Sequence, residues 1–111
     1  MDISYRVHFL RGRQGSVEGA NFIVGRWALL GRDPDADIRI PDNTVSRVHA
    51  AIAWADGSGF VLGDLGSRNG VHVNGRRIRC CTVKSGDRIR LGNAVFELRP
   101  AAEFKKVVKA A

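Results

Sequence analysis

The sequence predicts an all-β domain, a sandwich or a barrel. Short apolar stretches recur along the chain with turn signals about every eight to twelve residues. Thirteen glycines among 111 residues supply many of those turns. No strand pattern alternates with a long helical one, which excludes a doubly wound parallel sheet. There is no internal repeat and no low-complexity segment.

In chain order, Tyr5 to Leu10 alternates, with Tyr5, Val7 and Phe9 on one side and Arg6, His8 and Leu10 on the other. This predicts a strand with one buried face. Arg11 to Gly19 is polar and glycine-rich and reads as a loop or a wide hairpin connection. Phe22 to Val24 and Trp27 to Leu30 read as strands around a Gly25-Arg26 turn. Asp33 to Asp37 is a loop in which Pro34 blocks regular pairing. Ile38-Arg39-Ile40 is a short strand with both isoleucines inward, and Pro41 to Thr44 a turn. Val48, Ala50, Ile52 and Trp54 alternate against His49, Ala51 and Ala53.

Asp56-Gly57-Ser58-Gly59 signals a hairpin into Phe60 to Leu65. Asn69-Gly70 and Asn74-Gly75 are tight turns flanking a short strand, Val71 to Val73, since Asn-Gly tolerates the positive φ such turns require. Arg76 to Val83 reads as one strand. Arg88 to Leu91 and Ala94 to Leu98 form a last hairpin across Gly92-Asn93, ended by Pro100. From Ala101 the composition turns to Ala, Glu, Lys and Val, a short helix candidate or the start of a linker. The domain is therefore assigned to residues 1–100, with 101–111 as a basic tail.

At 44% hydrophobic and 26% charged residues, the chain has an ordinary globular composition. No apolar run is long enough to cross a bilayer, and Met1 to Tyr5 lacks the pattern of a signal peptide. The expectation is a cytoplasmic protein or a cytoplasmic domain of a larger one. Cys80 and Cys81 are adjacent in a predicted strand and point to opposite faces, so they read as two reduced thiols. The net charge of +7 and pI near 10.4 suit an acidic partner: nucleic acid, anionic lipid or a phosphorylated protein.

Enzymatic readings find little support. Ser46 and His49 are three residues apart, without the glycine elbow and orienting third group of a hydrolase. Asp33-x-Asp35-x-Asp37 opens like a calcium loop. Ile38 then replaces the required glycine and Thr44 the bidentate glutamate. No phosphate-loop Gly-Lys-Ser/Thr is present. No metal site and no cofactor is expected. Anion recognition fits better. Arg32, Ser46, Arg47 and Arg68 lie on or beside turns, and a phosphate dianion wants charge-assisted donors with the planar fork of a guanidinium. They converge if the loops after Leu30, before Val48 and after Leu65 share one end of a sandwich.

Gly31-Arg32, then Ser46-Arg47-Val48-His49-Ala50, then Asp64-Leu65-Gly66-Ser67-Arg68-Asn69-Gly70, then Val73-Asn74-Gly75, resemble the forkhead-associated (FHA) domain in order and spacing. The resemblance covers roughly residues 5–99. It implies an eleven-stranded antiparallel β-sandwich with its binding loops at one end. It also implies phosphothreonine-dependent protein–protein interaction without catalysis, in signalling by Ser/Thr protein kinases. The partner would be a threonine-phosphorylated protein, in trans or within the same polypeptide, and a Ser/Thr kinase would write the mark.

Carried over residue by residue, Arg32 and Ser46 would contact the phosphate, Arg47 the phosphate or the peptide backbone, and Asn69 the peptide main chain. Gly31, His49 and Gly70 would support the loops. Asn74 and Gly75 would shape the turn behind the site. Arg68 stands where many members carry threonine. It either adds a phosphate contact, reaches an acidic residue beyond the phosphothreonine, or swings into solvent.

Two alternatives belong to other classes. A basic nucleic-acid-binding domain would use the +7 charge, but five Phe, two Trp and one Tyr read as core, leaving no stacking platform. A phosphate-independent interaction module would have no chemical need for both Arg32 and Ser46.

Overall fold

A computed structural model describes residues 8–101. Tyr5 to Val7, assigned above to the first strand, and residues 102–111 lie outside the described residues. Within them, eleven strands form two sheets. The strands are β1 (His8–Gln14), β2 (Asn21–Val24), β3 (Trp27–Gly31), β4 (Ile38–Arg39), β5 (Ala50–Ala55), β6 (Gly59–Asp64), β7 (Val71–Val73), β8 (Arg76–Ile78), β9 (Cys80–Val83), β10 (Arg88–Leu91) and β11 (Ala94–Pro100). One sheet runs β2-β1-β11-β10-β7-β8 and the other β4-β3-β5-β6-β9. The inward residues of both sheets form one core. Leu10, Ile89, Leu91, Phe96 and Leu98 from the first meet Leu30, Ile52, Phe60 and Leu62 from the second. Burial of each such side chain stabilises the fold by about 1.5–3 kcal/mol.

The alternation explains most of these strands, and its exceptions are informative. β1 extends to Gln14 through residues that the sequence assigns to a loop. Arg11 and Arg13 point outward, and the inward position between them is Gly12. A Cβ at Gly12 would sit 1.7 Å from the Val17 carbonyl oxygen, so only glycine lets the one-turn 3-10 helix Gly15–Val17 close over β1. Phe9 and Leu10 are both buried, against simple alternation: Leu10 joins the core, and Phe9 lies on the opposite face of its sheet.

Two further departures concern how the sheets join. Arg76 to Val83 is not one strand. β8 pairs with β7 in the first sheet and β9 with β6 in the second, so the chain changes sheets at Arg79. The Arg79 carbonyl there accepts the Asp64 amide at 2.8 Å. The sandwich is antiparallel except at β3–β4, which pair in parallel through Leu30↔Ile38 and Gly31↔Arg39. Between them, Asp33 Oδ1 accepts the Asp35 amide at 2.8 Å and Asp37 Oδ2 the Leu29 amide at 2.7 Å, which holds the connection tight.

Asn74 (φ 51°) and Gly75 (φ 83°) make the two-residue β7–β8 turn, as Asn-Gly predicts. At the other Asn-Gly pair only Gly70 (φ 78°) is left-handed. Cys80 and Cys81 are free. No helix among the described residues is long and apolar enough to cross a membrane.

Candidate functional site

The β3–β4, β4–β5, β6–β7 and β10–β11 connections gather at one end of the sandwich, and backbone contacts fix three of them together. The Arg32 amide donates to the Ser46 carbonyl at 3.0 Å and the Asp33 amide to the Arg47 carbonyl at 3.1 Å. This places Gly31 against the Ser46-Arg47 backbone. A Cβ there would lie 2.0 Å from the Arg47 carbonyl oxygen. The glycine is required by close approach and not by its own torsion.

His49 sits beneath these loops with no exposed surface. Its Nδ1 accepts the Ser46 amide at 3.0 Å, and its Nε2 lies 2.9 Å from the Gly70 carbonyl. An acceptor at Nδ1 and a carbonyl facing Nε2 together assign the neutral ring with its proton on Nε2, which donates to Gly70. His49 also accepts the Leu65 amide at its carbonyl, 3.0 Å away. Val48 beside it is 47% exposed and precedes β5, so the alternation expected from Val48 holds only from Ala50, and the buried residue here is the histidine. The loop gives up strand alternation to bring His49 under Ser46 and Gly70.

The candidate binding residues meet above this support. The Ser46 hydroxyl oxygen accepts the Arg68 amide at 3.0 Å. Its own proton is therefore free to donate outward. His49 receives the serine's amide and not its hydroxyl, so this is no nucleophile–base pair. Arg32 Nε donates to the Val45 carbonyl at 3.0 Å, which aims the guanidinium while its Nη groups bond to nothing among the described residues. Arg47 and Arg68 are exposed. Asn69 Nδ2 donates to the Thr44 carbonyl at 2.7 Å, leaving Oδ1 available as an acceptor. Arg32, Ser46, Arg47, Arg68 and Asn69 thus share one rim.

Asn74 and Gly75 do not belong to this end. They lie at the far end of β7. There Asn74 donates to Asp87 Oδ1 at 3.0 Å and accepts the Arg88 amide at 2.9 Å, bracing the β9–β10 turn. The expectation that they shape the turn behind the site is corrected: the three residues of β7 separate them from Gly70.

The sequence assigns no role to five further residues that support the site. Thr44 Oγ1 donates to Asp42 Oδ1 at 2.6 Å and accepts the Asn93 amide at 2.8 Å, tying the β10–β11 turn to the site. The Asp42-x-Thr44 spacing is the local signal for such an Asx turn. Ser67 Oγ accepts the Gly70 amide at 2.9 Å, and Asp64 Oδ1 accepts the Ser67 amide at 2.9 Å. Partial burial raises the Asp64 carboxyl pKa, but the Ser67 hydroxyl and amide, with the Arg77 charge, outweigh it and hold the group below its ordinary 3.8. Arg77, on β8, packs its guanidinium against Gly70. No sequence signal places it there, because it comes from the far side of a hairpin.

The rim offers guanidinium and hydroxyl donors around one Asn acceptor. Among the described residues, no group of three or more His, Cys, Asp or Glu is placed to hold a metal ion. The arrangement suits a tetrahedral dianion attached to an extended peptide.

The comparisons agree with this geometry. The family model described as "FHA domain" matches residues 28–92. The FHA domain-containing protein FhaA of Mycobacterium tuberculosis is 42% identical over 71 residues, 64% of this chain and 13% of that protein. The oxoglutarate dehydrogenase inhibitor of Corynebacterium diphtheriae is 40% identical over 81 residues, 72% of this chain and 56% of that protein. The chain thus spans about half of one such relative and a small part of the other. A solved structure from a structural and functional analysis of phosphothreonine-dependent FHA domain interactions superposes with a TM-score of 0.76 at 35% identity, covering 84% of this chain and 95% of that one. By fold, by the residues of its loops and by the family match over more than half its length, this chain belongs to the FHA domain family.

Proposed function

We propose that this domain is a phosphothreonine-dependent protein-interaction module and has no catalytic role of its own. The observation that carries the reading is the Ser46–Arg68 contact. The Ser46 oxygen already accepts the Arg68 amide and its hydroxyl donates to nothing among the described residues, so the proton is open to an acceptor on a ligand, beside an Arg32 guanidinium already aimed by Val45. Arg32 and Ser46 hold the phosphate, Arg47 adds charge, and Asn69 holds the peptide main chain. Arg68 supplies its amide to Ser46, and its exposed side chain supplies further positive charge to the rim. The partner is a threonine-phosphorylated protein, modified by a Ser/Thr kinase, and the setting is cytoplasmic signalling.

The test is fluorescence anisotropy with degenerate peptide pools carrying phosphothreonine, phosphoserine or unmodified threonine, against the chain and its Arg32→Ala variant. Binding is expected to be tightest for the phosphothreonine pool, absent for unmodified threonine, and lost in the variant. One buried methyl group is worth roughly 1 kcal/mol, so phosphoserine binds about five- to tenfold more weakly. Equal binding of all three pools, or full binding by the variant, overturns the reading.

A further inference from the structure

The outer face of the six-stranded sheet carries a cationic strip that begins at the phosphopeptide rim. Arg90, His72 and Arg77 are direct cross-strand partners on β10, β7 and β8, and all three point away from the core. Arg88 follows on the same face of β10. Among the described residues these side chains make no ion pair with a carboxylate. Burial first, and then the Arg90 and Arg77 charges, push His72 below its ordinary pKa, which registers the positive field at the centre of the row.

The strip is continuous with the site at two points. The Arg77 guanidinium packs on Gly70. A groove of about 310 Å³ between Asn69 and Thr44 on one side and His72 and Arg90 on the other opens from the rim onto the sheet. The face also shows how it treats a carboxylate. Glu97, in register with Arg88, is held by Arg13 at 3.2 Å and Arg99 at 3.0 Å. The charged groups of the strip, Arg77, Arg88 and Arg90, are all arginines, whose fork matches carboxylate geometry.

We propose that this strip docks a run of carboxylates in the phosphorylated partner, an acidic segment that leaves the phosphothreonine through the groove beside Asn69 and lies across β7 and β10. The proposal rests on the phosphothreonine reading for its partner. Flat guanidinium rows at the end of a peptide site favour an extended acidic chain. Among the described residues, no exposed aromatic ring lies on the strip to stack nucleotide bases.

The test compares three peptides on the whole chain: a phosphothreonine peptide with alanine flanks, the same peptide with an acidic extension, and the acidic extension without phosphate. The extension is expected to tighten binding about tenfold at low ionic strength and to lose that gain as salt rises. The double variant R88E/R90E should erase the gain and leave the alanine-flanked peptide unchanged. Failure of that plain peptide to bind would count against the phosphothreonine reading instead. In that case the strip is tested alone, by following arginine Nε resonances during titration with hexaglutamate. Shifts confined to Arg77, Arg88 and Arg90 support the proposal, and shifts spread over all arginines or absent overturn it. A gain that survives R88E/R90E, or an oligonucleotide or anionic vesicle that binds more tightly than the extended peptide and is lost in the double variant, also overturns it.

Discussion

His49 donates from Nε2 to the Gly70 carbonyl at 2.9 Å, across 21 residues of sequence, while its Nδ1 accepts the amide of Ser46. One buried ring therefore sets the separation of the two loops that carry Ser46 and Asn69. His49→Ala leaves an amide and a carbonyl unpaired beside a cavity, with an expected loss of roughly 2–4 kcal/mol. Urea denaturation measures it. Phosphopeptide affinity should fall as well, in conditions where the variant remains folded. Unchanged affinity would mean that the loops hold their spacing without the ring.

Gly31→Ala tests close approach without touching a binding side chain. The added methyl group collides with the Arg47 carbonyl and pushes the Ser46-Arg47 backbone outward. A loss of about 1–3 kcal/mol is expected, with weakened phosphopeptide binding. Gly25→Ala is the control. Nothing lies within 4 Å of a Cβ there, and stability should change by less than about 0.5 kcal/mol.

Asn69→Asp separates ligand binding from folding. The substitution removes the donor to the Thr44 carbonyl and adds negative charge beside the phosphate position. Asn69 is exposed, so denaturation midpoints should move little. Affinity for a phosphothreonine peptide should fall more than about tenfold by calorimetry. Retained affinity would remove Asn69 from the peptide-binding rim.

Asp64 gives the β6–β7 loop a defined acid sensitivity. Its folded-state pKa lies below the ordinary 3.8. The carboxylate therefore contributes stability that is fully present above that value and is lost as pH falls through the lower folded-state value. Stability of Asp64→Asn measured against pH should show a flatter acid limb than the parent protein. Parallel curves would place the acid sensitivity elsewhere.

The fold and most of the rim were legible in the sequence, for different reasons. Strands such as Phe60 to Asp64 announce themselves because one face is buried and the other wet. The rim was legible because Gly31-Arg32, Ser46-x-x-His49 and Ser67-x-Asn69-Gly70 are short motifs whose order is itself information. Where backbone geometry overrides local pattern, legibility ends. Arg11 to Gln14 looks like a loop because its inward position is a glycine. Val48 looks like a strand residue because nothing local says that His49 must be buried in its place. The sheet change at Arg79 leaves no compositional trace. Asn74-Gly75 was correctly read as a turn and misplaced, since a motif gives conformation but not which end of a strand it occupies. Arg77 reaches Gly70 only through tertiary packing.

The sheet change at Arg79 also bears on how this molecule avoids its own kind. A sandwich has four exposed strand edges, each able to recruit a neighbour's backbone and seed aggregation. Here β8 ends one sheet and β9 ends the other, and a single residue joins them. The two open edges on that flank thus belong to one tightly folded corner, three and four residues long, with Arg76, Arg77 and Arg79 exposed along it. An intruding strand finds too few free amides in a row and a cluster of like charge facing it. On the opposite flank, β4 is only two residues long. With β2 at four residues, every edge strand among the described residues is two to four residues long, too short to offer a long ladder to a neighbouring chain.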